Sequence, residues 1–489
     1  MSLIEPDKFR VNIKRYSGGS YAANSNLPII GLITIVFSFW IFLTIDMYVF
    51  SKLGIILSVI IALKFLDVLG RSIPMKELIV LLMLLQLIVT PVISYNYFGD
   101  ESYYLMEVAE NIYVDFVLLG IIAFIVGIYL KISPIQMDFN NLFDQINENK
   151  NKNGKIGITL ILIGFASYFI LPFVPPVFQF FVLLLSYVRF IGFFYLLFSN
   201  NKGKFIWLII VFGSFAYSII GEGLFINLFI WSLFLFIILS LQFRLTYIAK
   251  LALFIGGFFM IFFMQTFKDD YRKVIWGQAG QKEYAKPFQK GEKTKQNIFL
   301  DMAADRVTSE EDIYEYSNFN KFIARLNQGW ILTNVLNHVP MKEPFTGGSM
   351  LLEDITASLL PRFLNPSKRT SGGDYGREKF MRFTGRYLQE GTRMTIGTFG
   401  DAYVNFGPGG GIAFMFAFGL ALNLLLKYIY SLSLKRFPTL VLWLPFLFLY
   451  AMRAGNEFLM IFNYTLKSSL VVFLIFLVYK QYFVKQRAA

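Results

Sequence analysis

Residues 177–198 read VFQFFVLLLSYVRFIGFFYLLF, a run of 22 positions in which Arg189 is the one charged side chain. A helix that crosses a membrane needs about 20 mostly apolar residues, so this stretch predicts a transmembrane helix. The whole chain agrees, because its 489 residues are 56% hydrophobic and only 16% charged. Soluble proteins carry about 25% charged residues. Composition therefore excludes a string of ordinary soluble domains and indicates a membrane protein.

Similar apolar stretches recur along the chain and predict an all-α polytopic membrane protein with about twelve transmembrane helices. The candidate spans are 28–50, 53–69, 77–97, 112–130, 156–174, 177–198, 205–221, 223–242, 250–266, 409–430, 438–452 and 466–484. Several are short, and the region 437–465 could hold a broken or re-entrant segment around Gly455.

The distribution of positive charge predicts the orientation. With the N-terminus in the cytoplasm, the short inside segments carry 19 Lys and Arg residues against 3 in the short outside segments, as the positive-inside rule requires. We therefore predict an N-terminal membrane region (1–266), one large external loop region (267–408) and a C-terminal membrane region (409–489), with both termini cytoplasmic. The formal net charge of +13 then reflects topology and does not indicate nucleic acid as a partner.

The predicted external loop is not featureless. Apolar residues between Lys321 and Val339 recur at helical spacing, which predicts an amphipathic helix. Segment 361–393 is basic, and arginine binds phosphate oxygens through two parallel hydrogen bonds. Its charged residues are Arg362, Lys368, Arg369, Arg377, Lys379, Arg382, Arg386 and Arg393 against Asp374, Glu378 and Glu390. This segment is either an anion site or a solvated loop, and the glycine-rich run 395–411 is either an anion nest or a tight turn before a helix.

The inventory of reactive side chains excludes several kinds of chemistry. The chain has no Cys and one His, His338, so thiol nucleophiles and sites with several His ligands are absent. We expect no metal and no cofactor. Ionisable residues inside membrane spans are costly and mark functional sites by default. Arg189 lies within a predicted span and needs a carboxylate or a bound anion, and Arg453 lies near the outer end of another span.

Several short motifs in and after the loop resemble the Wzy-type polymerases of lipid-linked oligosaccharide repeat units. The residues that carry the resemblance are Arg325 with Gly329-Trp330, His338-Val-Pro340, Gly347-Gly348-Ser349, Pro361-Arg362 with Pro366 and Lys368, Arg393, and Gly400-Asp401-Ala-Tyr403-Val-Asn405-Phe406-Gly407. The family often has Glu where this chain has Asp401, a departure that keeps the acidic character. The resemblance covers mainly 325–420 together with the topology.

The resemblance implies an enzyme of the bacterial inner membrane, with its large loop in the periplasm and a glycosyltransferase architecture of the C type. Its substrate would be an undecaprenyl-diphosphate-linked oligosaccharide, and a flippase and a chain-length regulator would be its partners. The general base would be Asp401, Glu390 or His338. Residues expected to bind the diphosphate or glycan are Arg325, Arg362, Lys368, Arg377, Arg386, Arg393, Tyr403, Asn405, Arg189 and Arg453.

Two other functions fit part of the same pattern. An O-antigen ligase transfers the same donor to a lipid acceptor and also uses external arginines and a histidine, which His338 could supply. A transporter of lipid-linked sugar is the second alternative. Transporters usually contain repeated halves, whereas the large loop here divides the predicted spans nine to three.

Overall fold

The described part of the chain is entirely helical. The computed structural model describes residues 27–131, 139–223, 225–243, 245–276, 294–308, 315–359 and 373–479. No β-strand occurs among these residues. A helix satisfies all its backbone N–H and C=O groups within one segment, which is what a lipid environment demands. The prediction of an all-α fold is confirmed.

Twelve helices precede the predicted external loop or run into it. They are α1 (Leu27–Thr44), α2 (Val49–Val68), α3 (Met75–Leu84), α4 (Thr90–Ile93), α5 (Glu110–Tyr129), α6 (Phe139–Glu148), α7 (Lys150–Ile170), α8 (Pro176–Leu197), α9 (Lys204–Leu208), α10 (Ser214–Glu222), α11 (Ile226–Phe243) and α12 (Tyr247–Trp276). A π-helical turn at Leu85–Val89 joins α3 to α4, and another at Ile209–Gly213 joins α9 to α10. Each pair therefore forms one continuous rod of membrane-crossing length.

Eight helices follow. They are α13 (Lys295–Thr308), α14 (Tyr316–Leu326), α15 (Gly329–His338), α16 (Ser349–Leu359), α17 (Gly373–Thr384), α18 (Gly397–Lys435), α19 (Leu444–Leu447) and α20 (Phe458–Tyr479). The helices α13 to α17 are short and come from the predicted external loop. The helix α18 contains a break at Gly407, whose φ of 68° and ψ of −172° lie outside the helical region.

Ten helical segments within the described residues are long and apolar enough to cross a membrane, so the chain is a multi-pass membrane protein. The other two predicted spans coincide with shorter apolar helices, Pro28–Thr44 and Pro438–Leu447. Several predicted boundaries differ from the observed ones, and the two largest differences are at α12 and α18. The helix α12 continues ten residues past position 266 to Trp276, and α18 begins at Gly397 instead of position 409. In both places the helix extends beyond the apolar run, at its C-terminal end in α12 and at its N-terminal end in α18.

The predicted amphipathic helix at 321–339 is two helices. The chain leaves the helical path at Asn327 and Gln328, between α14 and α15. The Asn327 side chain accepts a hydrogen bond from the backbone N–H of Trp330 at 3.2 Å and donates one to Ser94 Oγ at 2.9 Å. Asn327 therefore caps the start of α15 and connects the break between the two helices to the membrane helices through Ser94. Helical periodicity alone does not reveal this break.

The segment between α18 and α20 is broken, as the sequence allowed. It consists of a 3₁₀ turn at Pro438–Trp443, the short α19 and a second 3₁₀ turn at Leu449–Met452. A 3₁₀ helix rises about 2.0 Å per residue, against about 1.5 Å in an α-helix, so these few residues cover more length than an α-helix would. The segment runs back from the Lys435 end of α18 to its Gly397 end. A hydrogen bond shows this path, since Thr398 Oγ1 donates to the Asn456 carbonyl at 2.8 Å.

The helix bundle has two distinct ends. We call the end that carries α13 to α17 the loop end; it includes Glu110, Glu222, Gly397 and Phe458. The opposite end, the far end, includes the turn 69–74, Tyr129 and Lys435. Successive long helices alternate between the two ends, which is what an antiparallel bundle with short connections requires.

Candidate functional site

The loop end contains a buried lysine surrounded by three carboxylates, which we call the carboxylate–lysine cluster. Lys379 Nζ forms an ion pair with Asp401, lies 3.5 Å from Glu457 Oε2 and lies 3.6 Å from Asp354 Oδ2. Each of the four side chains is at most 1% exposed. A buried ion pair of this kind is costly to break, because removing one partner leaves an uncompensated charge in a low dielectric.

Four separate parts of the chain meet in this cluster. Asp354 comes from α16, Lys379 from α17, Asp401 from the start of α18, and Glu457 from the turn before α20. Backbone groups hold two of the carboxylates: the N–H of Phe458 donates to Asp401 Oδ2 at 2.8 Å, and the N–H of Ile396 donates to Glu457 Oε1 at 3.3 Å. The cluster therefore ties the external helices to the membrane bundle.

The members of the cluster influence one another's protonation. Burial alone would lower the pKa of Lys379, but the carboxylates of Asp401, Glu457 and Asp354 raise it above its ordinary value, so the amine stays protonated. Burial raises the pKa of Glu457 to about 7, although the nearby Lys379 ammonium opposes that shift. Glu457 is therefore the member of the cluster that titrates near neutral pH.

This geometry bears on the prediction that Asp401 is a general base. Its carboxylate is buried, paired with Lys379 and hydrogen-bonded to the Phe458 backbone. A general base must reach the proton that it abstracts. The arrangement therefore favours a structural role for Asp401, as a tie between α17, α18 and α20. The described residues contain no group of three or more His, Asp or Glu side chains arranged to hold a metal ion.

The described cations of segment 361–393 do not converge on one point. Arg382 Nε donates to Glu343 Oε1 at 2.6 Å, and Arg386 pairs with Glu107 and also donates to Asn334. Arg377 reaches the Leu388 carbonyl at 3.5 Å. Carboxylates thus already pair with Lys379, Arg382 and Arg386, which favours a structural role for these three cations over anion binding. Arg362 and Lys368 lie outside the described residues.

The remaining residues predicted from the loop motifs fall into two groups by exposure. Arg393 and Glu390 are exposed, whereas Arg325 and His338 are half-buried. The His338 ring packs against Gly385, where an added Cβ would lie 2.6 Å from His338 Cε1. Of these four residues, His338 and Glu390 can still be general-base candidates, because neither is locked in an ion pair like that of Asp401.

Tyr403 and Asn405 are buried and support the local fold. The Tyr403 hydroxyl donates to the Val339 carbonyl at 3.2 Å. Asn405 Oδ1 accepts hydrogen bonds from Thr346 Oγ1 at 2.8 Å and from the Leu351 backbone at 3.2 Å. Both side chains therefore attach the first turns of α18 to the segment before α16 and to the first turn of α16, and their role in substrate binding stays a prediction.

Two arginines lie among the membrane helices, and we use the name two-arginine pocket for Arg189, Arg453 and the aromatic side chains around them. Arg189 from α8 is 3% exposed, and Arg453 follows the broken segment after α18. Four aromatic rings surround the Arg189 guanidinium, with its central carbon 4.7 Å from the Tyr168 ring and 5.1 Å from the Phe190 ring. Tyr187 lies within electrostatic reach of both arginines.

The pocket contains hydrogen-bond donors without acceptors. Arg189 Nε and NH1, Arg453 Nε, Trp231 Nε1 and Tyr464 Oη are buried and lack a hydrogen-bond partner within the described part of the chain. Arg453 donates one hydrogen bond, from NH2 to Asn227. Buried donors are normally satisfied, and a buried charge is normally paired. The sequence predicted a carboxylate or an anion for Arg189, and no carboxylate of the described residues lies within ion-pair distance of it.

The two sites share one short turn. Residues 453–457 carry Arg453 at one end and Glu457 at the other. Thr395 Oγ1 donates to the Gly455 carbonyl at 2.5 Å, and Thr398 Oγ1 donates to the Asn456 carbonyl at 2.8 Å. Gly397, with φ of 71°, lies so close that a Cβ there would be 2.8 Å from the Ala454 carbonyl oxygen. The carboxylate–lysine cluster therefore fixes the turn that presents Arg453 to the pocket.

Sequence reasoning missed the roles of Lys379, Asp354 and Glu457. One signal for Lys379 was available, because it shares a face of α17 with the buried residues Gly376, Phe380 and Phe383. A lysine on the apolar face of an amphipathic helix requires a buried partner. Asp354 likewise shares a face of α16 with the buried residues Met350 and Ala357, but only the tertiary fold shows that it meets Lys379.

A known protein family matches most of the chain. A family model described as a domain of unknown function (DUF8712) matches residues 87–487. The chain belongs to this family. The DUF8712 region contains all four members of the carboxylate–lysine cluster and both arginines of the pocket. No curated protein and no solved structure matches the chain.

Proposed function

We propose that the protein is a glycosyltransferase that polymerises undecaprenyl-diphosphate-linked oligosaccharide repeat units. The observation that carries the proposal is the two-arginine pocket, where Arg189 and Arg453 have buried donors that lack acceptors within the described residues. A diphosphate supplies several anionic oxygens, and guanidinium groups bind such oxygens through two parallel hydrogen bonds. Because the pocket lies between membrane helices, the diphosphate would belong to a lipid.

The chemistry needs little from the protein beyond placement and charge. A hydroxyl of one repeat unit attacks the anomeric carbon of the growing chain, the bond from that carbon to the diphosphate oxygen breaks, and undecaprenyl diphosphate leaves with the electron pair. Negative charge grows on the diphosphate in the transition state, and Arg189 and Arg453 stabilise it there. His338 or Glu390 would accept the hydroxyl proton, a contribution of about 10²–10⁴-fold.

The proposal also includes the number of membrane spans and their orientation. The ten long apolar helices, together with Pro28–Thr44 and Pro438–Leu447, give twelve spans, with both termini cytoplasmic and the loop end in the periplasm of a bacterial inner membrane. Twelve spans with external helices resting on one end correspond to a glycosyltransferase of the C type. A flippase would deliver the substrate to the loop end, and a chain-length regulator would act with the polymer.

Deletion of the gene in its native host, followed by complementation with variants, tests the proposal. We expect deletion to remove long surface glycans while single repeat units persist, and Arg453→Ala and Arg189→Ala to fail to restore them. Arg436→Ala is the matched control, because Arg436 is an exposed arginine at the far end. Membrane extracts should release undecaprenyl diphosphate with the wild-type protein and at least about tenfold more slowly with either pocket variant.

Three results would contradict the proposal or part of it. Normal glycan ladders after gene deletion would exclude polymerase activity. Long glycans that accumulate without being joined to their lipid acceptor would identify a ligase. Normal ladders from well-expressed Arg453→Ala and Arg189→Ala proteins would remove the pocket from the mechanism.

A further inference from the structure

Three lysines from three helices meet at the far end of the bundle, a site that we call the far-end lysine site. Lys64 belongs to α2, Lys76 to α3 and Lys427 to α18. Lys64 Nζ lies 3.7 Å and Lys76 Nζ lies 5.6 Å from the centre of the Tyr129 ring. Both Lys64 and Lys427 are close enough to Lys76 to interact with it electrostatically.

The far-end lysine site has surplus positive charge. Among the described residues Glu77 is the one carboxylate within it, 3.6 Å from Lys64, and Tyr129 Oη donates to the same carboxylate at 3.0 Å. Within the part of the chain that the structure describes, three ammonium groups thus meet one carboxylate. Like charges gathered at one place repel each other, so the arrangement is stable only with an anion or with water between them.

The usual explanation for lysines at the end of a membrane helix does not fit all three. Such lysines normally extend toward water and satisfy the positive-inside preference. Lys76 instead donates to Asn423 Oδ1 of α18 at 2.9 Å. The Lys427 ammonium is buried and has no hydrogen-bond partner within the described residues. These two side chains therefore face the space between helices, where a ligand would meet them.

The surroundings of the site favour a lipid over a soluble ligand. On α18, Leu424 is 48% exposed and Tyr428 is 63% exposed, and both flank Lys427. Exposed apolar and aromatic side chains at this level of a membrane helix face acyl chains and lipid headgroups. The side chain of Lys64 is 43% exposed, so the site is open at its edge. Basic pockets between helices at one membrane surface bind acidic headgroups.

We propose that the far-end lysine site binds the phosphate group of an anionic membrane lipid, with Lys64, Lys76 and Lys427 as its ligands and the acyl chains along Leu424 and Tyr428. The site is independent of the two-arginine pocket, since it lies at the opposite end of the bundle. Phosphate chemistry is shared by lipid headgroups and free phosphate, and the experiment therefore compares both sources.

Lipid binding to the full-length protein in detergent tests the proposal, with native mass spectrometry and thermal unfolding as readouts. We expect phosphatidylglycerol and cardiolipin to remain bound and to raise the unfolding temperature, whereas phosphatidylcholine and millimolar inorganic phosphate should not. Lys427→Gln should weaken binding of the anionic lipids about fivefold, since each lysine near an anionic surface contributes about that factor. Lys435→Gln, which removes an exposed lysine from the end of the same helix, should leave binding unchanged.

Loss of the Lys427 charge should not harm the fold, because its ammonium makes no hydrogen bond to any residue that the structure describes. The unfolding temperature of Lys427→Gln in phosphatidylcholine alone should therefore equal or exceed that of the wild type. Equal retention of phosphatidylcholine and phosphatidylglycerol would overturn the proposal, and so would unchanged lipid binding by Lys427→Gln. Stabilisation by inorganic phosphate as strong as that by lipid would show that the ligand is a soluble phosphate.

Discussion

Two basic residues of α17 show how placement decides the role of a side chain. Lys379 and Arg382 are three positions apart, yet Lys379 is buried among three carboxylates and Arg382 makes a surface pair with Glu343. The side chain of Lys379 is 1% exposed and that of Arg382 is 53% exposed. Water screens the surface pair, whereas the buried ammonium has only its protein partners.

Replacement of Lys379 by Met should destabilise the protein by about 3–5 kcal/mol, because it leaves buried carboxylates without a counter-charge. Arg382→Met is the matched control and should cost less than about 1 kcal/mol, as exposed ion pairs do. Unfolding of the detergent-purified proteins measures both values. The double variant Lys379→Met with Asp401→Asn should recover part of the loss, since it removes one of the stranded charges.

Comparable stabilities of the Lys379→Met and Arg382→Met proteins would show that the cluster is hydrated and not a buried network. A double variant less stable than Lys379→Met alone would show that Asp401 depends mainly on its other contact, the hydrogen bond from the Phe458 backbone.

At the scale of elements, small residues decide how closely the membrane helices pack. The helices α5 and α18 cross at Gly127 and Gly419. A Cβ at Gly127 would meet the carbonyl oxygen of Phe416 and would lie 2.8 Å from the backbone nitrogen of Leu420. Without a hydrophobic driving force between helices in lipid, this close backbone approach provides the van der Waals contact that holds them together.

Gly127→Ala should therefore destabilise the protein by about 1–3 kcal/mol, because the helices must separate to admit the methyl group. Gly256→Ala in α12 is the matched control, since no atom lies within 4 Å of the position where its Cβ would be. That change should be neutral or stabilising by up to about 1 kcal/mol, as Ala favours helix over Gly. Thermal unfolding in one detergent compares the pair, and equal losses would exclude a tight crossing.

At the scale of the whole molecule, the bundle presents two chemically different surfaces. The loop end carries α13 to α17, the carboxylate–lysine cluster and access to the two-arginine pocket, and the far end carries the lysine site. In the proposed orientation the loop end faces the periplasm. The absence of Cys from the sequence makes this orientation testable with single introduced cysteines.

A membrane-impermeant maleimide applied to spheroplasts should label Met341→Cys, because Met341 is 85% exposed between α15 and α16 at the loop end. The same reagent should label Lys202→Cys, exposed at the far end, only after the membrane is permeabilised. Both variants should be labelled in detergent, which controls for reactivity of the thiol. The opposite pattern would invert the proposed topology and place the two-arginine pocket nearest the cytoplasm.

The sequence by itself determined the all-helical membrane character, because the apolar length that a bilayer requires is a local property of the chain. It located the long helices, although it placed the end of α12 and the start of α18 ten residues or more away from the observed positions, and it identified Arg189 as a cation in need of a partner. It also exposed the imbalance of positive charge between the two ends of the bundle, since short loops carry that signal directly.

Only the tertiary structure decided which charged residues meet. Asp354 and Lys379 are separated from Glu457 by whole helices, so no local pattern records their contact. For the same reason, the basic segment 361–393 suggested either an anion site or a solvated loop, and no local pattern showed that Arg382 and Arg386 pair with carboxylates from distant parts of the chain. Periodicity and composition fix which face of a helix is apolar, but the partner of a buried charge depends on how helices pack, and that is a property of the folded molecule.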